Sequence, residues 1–355
     1  MFYIQFLPAK VFFWIICLSV HAITASGSKA AEFMTLSTNP LPPAALESSC
    51  THVMSGKIET GDSERLQNMI SELPGQDHDD ENFVLCLNSV GGSLNEALSM
   101  GVVLQKNFFG TKVENGASCL SACAVLFMHG TVAYFDFLTD FRVMEVGATV
   151  GFHAPSLGLE FSESDLVPGA LISQSYDAAL ANIGQLVTGA HGSVSENSRP
   201  TIPIALLSDM LQTPSDSFTY VDTLHKAFRW RISVLVDRSN FPTGYDEKVA
   251  LYQICENSKY EIYPQASRRE AHWAVTPRDV EGFEQAASIT SPSPVAGFVT
   301  VSMGLIYDEQ CLIKDSGNDD RFRFHVKYFI EGREQAQAYL SAAYLLDPNI
   351  RLSEL

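Results

Sequence analysis

Short apolar runs alternate with helix-period segments through the first two-thirds of this chain, and glycine marks many of the joints between them. Residues 52–58 alternate loosely, as a strand does. Leu66, Met69, Ile70 and Leu73 recur at helical spacing. Residues 83–87 form an unbroken apolar run that stops at Gly91-Gly92, and a helix is expected over 94–107. A short strand is expected over 111–114 and an apolar helix over 121–129, ended by Gly130. A run that short, apolar on both faces, suits a strand covered by helices on each side. The alternation therefore predicts an α/β fold with βαβ units and parallel pairing. Two or three more strands are expected within 131–153, a long helix over 170–187, and helices over 203–211 and 221–228. The composition shifts after about residue 240. Alternation at 298–303 and 322–330, with a helix near 335–345, predicts a smaller C-terminal α+β domain over 245–355.

Charge and cysteine content narrow the function classes. The 355 residues carry 41 acids against 23 bases, a formal net charge of −18. That balance argues against a nucleic-acid partner, which needs a basic face, and against docking on an anionic membrane. Residues 1–22 hold an apolar core with Lys10 as the only charge, and Val20 and Ala22 satisfy the small-residue rule for cleavage. A secretory signal peptide is expected. An uncleaved N-terminal anchor is the alternative, because the run approaches the ~20 residues that span a bilayer. Residues 23–49, with Pro40, Pro42 and Pro43, form a linker. Without Cys17, six cysteines remain: Cys50, Cys86, Cys119, Cys123, Cys255 and Cys311. An even set in an exported chain suggests disulfides, with Cys255–Cys311 the first pairing expected. Cys119 and Cys123 either clamp the turn between them or pack as small apolar side chains. The chain is expected in the periplasm or cell envelope.

Three stretches bear chemistry. Residues 88–93, Asn-Ser-Val-Gly-Gly-Ser, close a buried strand with a turn that brings bare N–H groups toward a ligand. Residues 116–123 carry Ser118 and Ser121 where a strand passes into an apolar helix, a setting that favours a developing oxyanion. His153 closes an apolar strand, followed by Ala154-Pro155.

In this order the three stretches resemble the Clp protease proteolytic subunit and its relatives in the crotonase-like superfamily, in particular the exported bacterial branch. Asn88-Ser89-Val90-Gly91-Gly92 is similar to the family's Asn-Ser-Pro-Gly-Gly, with Val90 for proline. Ser121 precedes Gly130 by nine positions, and His153-Ala154-Pro155 matches the histidine block. The resemblance covers about 50–240 and implies a superhelical βαβ fold. It implies Ser121 as nucleophile, His153 as general base, and the N–H groups of Gly92 and Ala122 as an oxyanion hole. The family's aspartate falls at Gln212 here, so Asp209 is the candidate that would orient His153, with Gln212, Asp216 or a bare Ser–His dyad as alternatives. A Ser–Lys mechanism is disfavoured, because no lysine lies between Lys112 and Lys226. The expected function is an exported serine hydrolase acting on peptides or proteins, without cofactor or metal and without an ATP-driven unfoldase. Homo-oligomers are common among such relatives. The alternative is a non-catalytic scaffold of the envelope; acyl-CoA chemistry ranks below both, since CoA is cytoplasmic.

Overall fold

The computed structural model describes residues 30–42, 45–73, 82–134, 137–155, 168–191, 200–236, 241, 247–262, 289–290, 299–302, 309–315, 324–330 and 333–355. The expected signal segment, residues 23–29, 43 and 44 of the expected linker, and the acidic stretch at 77–81 lie outside these residues, whereas residues 32–35 of that linker form a strand. Along the chain run β1 (Glu32–Thr35), β2 (His52–Ser55), α1 (Asp62–Ser71), β3 (Phe83–Asn88), α2 (Leu94–Lys106), β4 (Phe109–Val113), β5 (Ser118–Leu120) and α3 (Ala122–Phe127). Next come β6 (Thr131–Tyr134), β7 (Phe137–Asp140), β8 (Arg142–Glu145) and β9 (Thr149–Phe152). They are followed by α4 (Gly169–His191), α5 (Ile204–Gln212), β10 (Thr219–Tyr220), α6 (Leu224–Arg229) and β11 (Ser233–Leu235). The last third holds α7 (Glu247–Ile262), β12 (Ile289–Thr290), β13 (Val299–Ser302), β14 (Glu309–Asp315), β15 (Phe324–Ile330) and β16 (Arg333–Leu340).

The architecture is α/β. The main sheet has the order β1-β2-β3-β4-β8-β11, with β1 antiparallel at its edge and the other neighbours parallel. Residues 83–87 of β3 are buried on both faces, which is why they read as a continuous apolar run; β4 is equally buried although it carries Thr111 and Lys112. Leu66 and Ile70 of α1 and Ala97, Met100 and Leu104 of α2 bury their stripes against this sheet. On the other face Val84, Cys86 and Val143 pack with Leu46, Val132 and Phe141. The apolar stretch after Gly130 therefore supplies core, at least through Val132, Phe141 and Val143.

Three disulfides join Cys50–Cys86, Cys119–Cys123 and Cys255–Cys311. The expected Cys255–Cys311 pair forms and ties α7 to β14. Three bridges fit an oxidising compartment. Among the described residues no helix is long and apolar enough to cross a membrane.

The C-terminal segment departs from expectation at β16 and α7. In place of a helix near 335–345, β16 pairs antiparallel with β15 from Phe324↔Leu340 to Ile330↔Arg333. A short 3-10 turn at Ala342–Leu345 follows. The alanines and glutamines of β16 favour a helix in isolation, but the ladder to β15 satisfies their backbone groups, so pairing outweighs propensity. Lys327 also meets Glu334 across the hairpin at 3.1 Å. Helix α7 carried no clear periodicity and was not expected.

Two buried histidines make stability depend on pH. His52 sits against the rings of Phe83 and Phe109 at 6.0 and 5.3 Å. Burial lowers its pKa from 6.5 to about 4. His129 is likewise lowered to about 4, by burial first and by the charge of Arg142 second. The unfolded chain thus binds protons between pH 6.5 and 4 that the fold refuses. Stability is full above pH 6.5 and declines as the pH falls through this window, by on the order of 3 kcal/mol for His129 alone. The urea midpoint should fall between pH 7 and pH 5, and His52→Phe should shrink that fall; equal midpoints at both values would contradict the buried neutral state.

Candidate active site

The three chemistry-bearing stretches meet on a small sheet ordered β10-β9-β5. Ser89 extends it beyond β5: its N–H donates to the Ser118 carbonyl at 2.7 Å and its carbonyl accepts from Leu120 N–H at 3.0 Å. Asn88 Oδ1 accepts from Ser118 N–H at 3.2 Å. On the other side β5 runs parallel to β9 with Leu120 opposite Gly151, and Ser121 N–H donates to the Gly151 carbonyl at 2.9 Å. The glycine turn, the serine and the histidine strand are therefore zipped together chiefly by backbone bonds, with the Asn88 side chain adding one.

Ser121 occupies the corner between β5 and α3 with φ 57° and ψ −125°. A non-glycine residue at positive φ is strained, and such strain persists only where the surroundings impose it. The Gly151 bond holds Ser121 on one side. The Cys119–Cys123 bridge, with Cα atoms 5.1 Å apart, spans the corner on the other. The corner aims Ser121 Oγ at His153 Nε2, 2.8 Å away. Nδ1 of His153 lies 2.7 Å from the Ala154 carbonyl. A carbonyl only accepts, so Nδ1 carries the proton and Nε2 is left to accept from the serine hydroxyl. Phe218 meets the imidazole edge to face at 5.0 Å and limits its rotation.

Gly91 and Gly92 both have positive φ, 97° and 144°. A Cβ on Gly91 would stand 2.6 Å from the Leu120 carbonyl and 2.7 Å from Ser121 Cβ, and one on Gly92 would run into the Ile58 carbonyl. The turn is pinned to Ile58, whose N–H donates to Gly91 O at 2.8 Å and whose carbonyl accepts from Ser93 N–H at 2.9 Å. Ser93 then caps α2 by accepting from Glu96 N–H. Among the described residues neither Gly92 N–H nor Ala122 N–H has an acceptor. Both residues line the cleft that holds Ser121 and His153. The cleft measures about 230 Å³, and none of its lining side chains is acidic, lysine or arginine. Two unengaged N–H groups, a hydroxyl and an imidazole acceptor can together receive a carbonyl group and move its proton traffic.

Asp209 is not brought to His153. Its Oδ2 accepts from Arg229 Nη1 at 2.8 Å and Trp230 Nε1 at 3.1 Å, which docks α5 on α6. This corrects the expectation that Asp209 orients the histidine; that orientation comes from the Ala154 carbonyl. Gln212 bonds back to Ser208 on its own helix, and Asp216 is exposed. Ser118 does not line the cleft. Phe218, Ala154 and Asn182, which projects from α4 into the cleft lining, escaped the sequence reading. Phe218 precedes a strand whose Thr219 pairs with Phe152, so its position opposite His153 follows from a register that sequence does not fix. A backbone carbonyl leaves no side-chain signal at all.

A scan against known protein-family models found no match, and a search of the curated proteins found none. The site therefore rests on its own geometry. Asp209→Asn should lower stability by about 1–2 kcal/mol in urea unfolding while the side-chain ¹⁵N shifts of His153 stay unchanged. A shift at His153 Nδ1 would restore Asp209 to the site. Gly92→Ala should cost at least about 2 kcal/mol, because the new Cβ meets backbone and not a movable side chain.

Proposed function

We propose that this chain is a serine hydrolase acting on peptide bonds, built on the frame of the Clp protease and crotonase-like proteins and working outside the cytoplasm. The observation that carries this reading is the 2.8 Å contact of Ser121 Oγ with His153 Nε2 in a cleft bounded by the N–H groups of Gly92 and Ala122. In the proposed reaction Ser121 Oγ attacks the scissile carbonyl carbon as its proton passes to His153 Nε2. The carbonyl oxygen becomes an oxyanion and accepts from Gly92 and Ala122. Collapse breaks the C–N bond, and His153 returns its proton to the departing amine. Water then attacks the acyl-serine, giving one proton to His153, and Ser121 leaves with it. The uncharged lining favours a neutral group beside the scissile bond, because a buried charge there would find no partner.

A carbonyl stabilises an imidazolium less than a carboxylate does, so turnover slower than that of a full triad is expected. The same feature favours a second reading, a scaffold that keeps the fold and binds without cleaving. Labelling with a fluorophosphonate separates the two. Wild type should label, Ser121→Ala should not, and His153→Ala should label at least about 100-fold more slowly. Equal labelling of wild type and Ser121→Ala, or none of either, would leave the scaffold reading standing.

A further inference from the structure

A second cavity, about 920 Å³, opens between α2 and α4 and is larger than the catalytic cleft. Its volume suits a small-molecule site. Leu98 and Val102 of α2 face Ala181, Gly184 and Gly189 of α4 across it. The small residues set its shape. At Gly189 the helices close together, since a Cβ there would meet Leu98 at 2.8 Å, whereas a Cβ on Gly184 would meet nothing within 4 Å. The hydroxyls in the walls ask nothing of an occupant: Ser99 donates to Asn95 O at 3.0 Å and Thr188 to Gly184 O at 2.8 Å, each on its own helix. Helical walls also offer no free backbone groups, so an extended peptide lying here would leave its own N–H and C=O groups unpaired. An aliphatic body makes no such demand.

One polar group does ask for a partner. His129 lines the cavity, is 1% exposed, and neither of its ring nitrogens has a hydrogen-bond partner among the described residues. Buried polar groups without partners are few in folded proteins, and each calls for an explanation. The ring is held against Gly101, where a Cβ would come within 2.5 Å of it. Burial keeps it neutral, so it presents one donor and one acceptor. Nearby Arg142 is already engaged, its guanidinium meeting Asp140 at 2.6 Å and the Thr201 carbonyl at 2.6 Å. A carboxylate beside His129 would find one donor and a guanidinium already paired with Asp140, and an ammonium would find one acceptor and that same cation nearby. A hydroxyl or primary amide can serve as donor or acceptor, so it suits whichever nitrogen meets it.

We propose that this cavity is a binding site for a neutral amphiphile, an aliphatic chain carrying a hydroxyl or amide that hydrogen-bonds His129. Asn95 lines both this cavity and the Ser121–His153 cleft, and binding here is read without turnover. Titration calorimetry of the full chain with 1-octanol, octanamide, octanoate and octylammonium tests it. The alcohol and amide should bind at least tenfold more tightly than either charged probe. Gly184→Leu adds a side chain into open space and favours the helix, so it should keep the unfolding temperature and abolish binding of all four. His129→Leu should erase the preference for the neutral heads. Binding of octanoate equal to or tighter than octanol would move the head group out to Lys106 at the rim and overturn the role of His129. Binding unchanged in Gly184→Leu, or no binding by any probe, would overturn the site.

Discussion

Backbone pairing at Ser89, residues 118–121 and Gly151 is the constraint on which the site depends. Each of the three stretches contributes a different chemical group, yet none would be near the others without this ladder. Its bonds run from 2.7 to 3.0 Å and use no side chain. Side-chain identity matters at the edges of the arrangement. Glycine is required where the turn crosses Ile58, serine where the corner points at the imidazole, and histidine two residues past the ladder's end. The hydrophobic body below, with β3, β4 and α3 almost wholly buried and α2 burying one face, holds that ladder at fixed depth. A close-packed interior transmits little freedom to the groups it carries.

The site is neutral while its surroundings are charged. Asp140, Arg142 and Arg231 form one linked set, and Lys112 meets Glu145 at 2.7 Å in another. Burial pushes Glu145 up, but the Lys112 bond, the Asn115 N–H and the Lys112 charge together hold it below the usual carboxylate range. These pairs fasten β4 and β8 and leave the cleft itself without a formal charge. In that setting the tautomer of His153 rests on one carbonyl, a weaker anchor than a carboxylate but one that cannot titrate.

Much of this arrangement was legible in the order of residues. The strand–glycine–helix alternation gave β3, α2 and β4 within a few positions, and the resemblance, through the spacing of Ser121 to Gly130, pointed to Ser121 over Ser118. What escaped has a common cause. Asp209 stands one helical turn before Gln212, and only the packing of α5 on Arg229 and Trp230 reveals its partners. Strand β16 carries a helix former's composition, and only its register with β15 explains it. Phe218 and the Ala154 carbonyl act through register and backbone direction. Local pattern reports periodicity and turn chemistry; it does not report which neighbour a surface will meet.

The three disulfides differ in what they do for the chain. By loop length, Cys50–Cys86 and Cys255–Cys311 each restrain the unfolded ensemble by about 4 kcal/mol, and Cys119–Cys123 by only about 2 kcal/mol. The weakest staple thus straddles Ser121. While its sulfurs remain thiols, the corner is held by hydrogen bonds alone, and a strained φ has fewer reasons to persist. Closing that one pair therefore adds little to the stability of the whole fold and acts chiefly on the corner that aims Ser121 at His153.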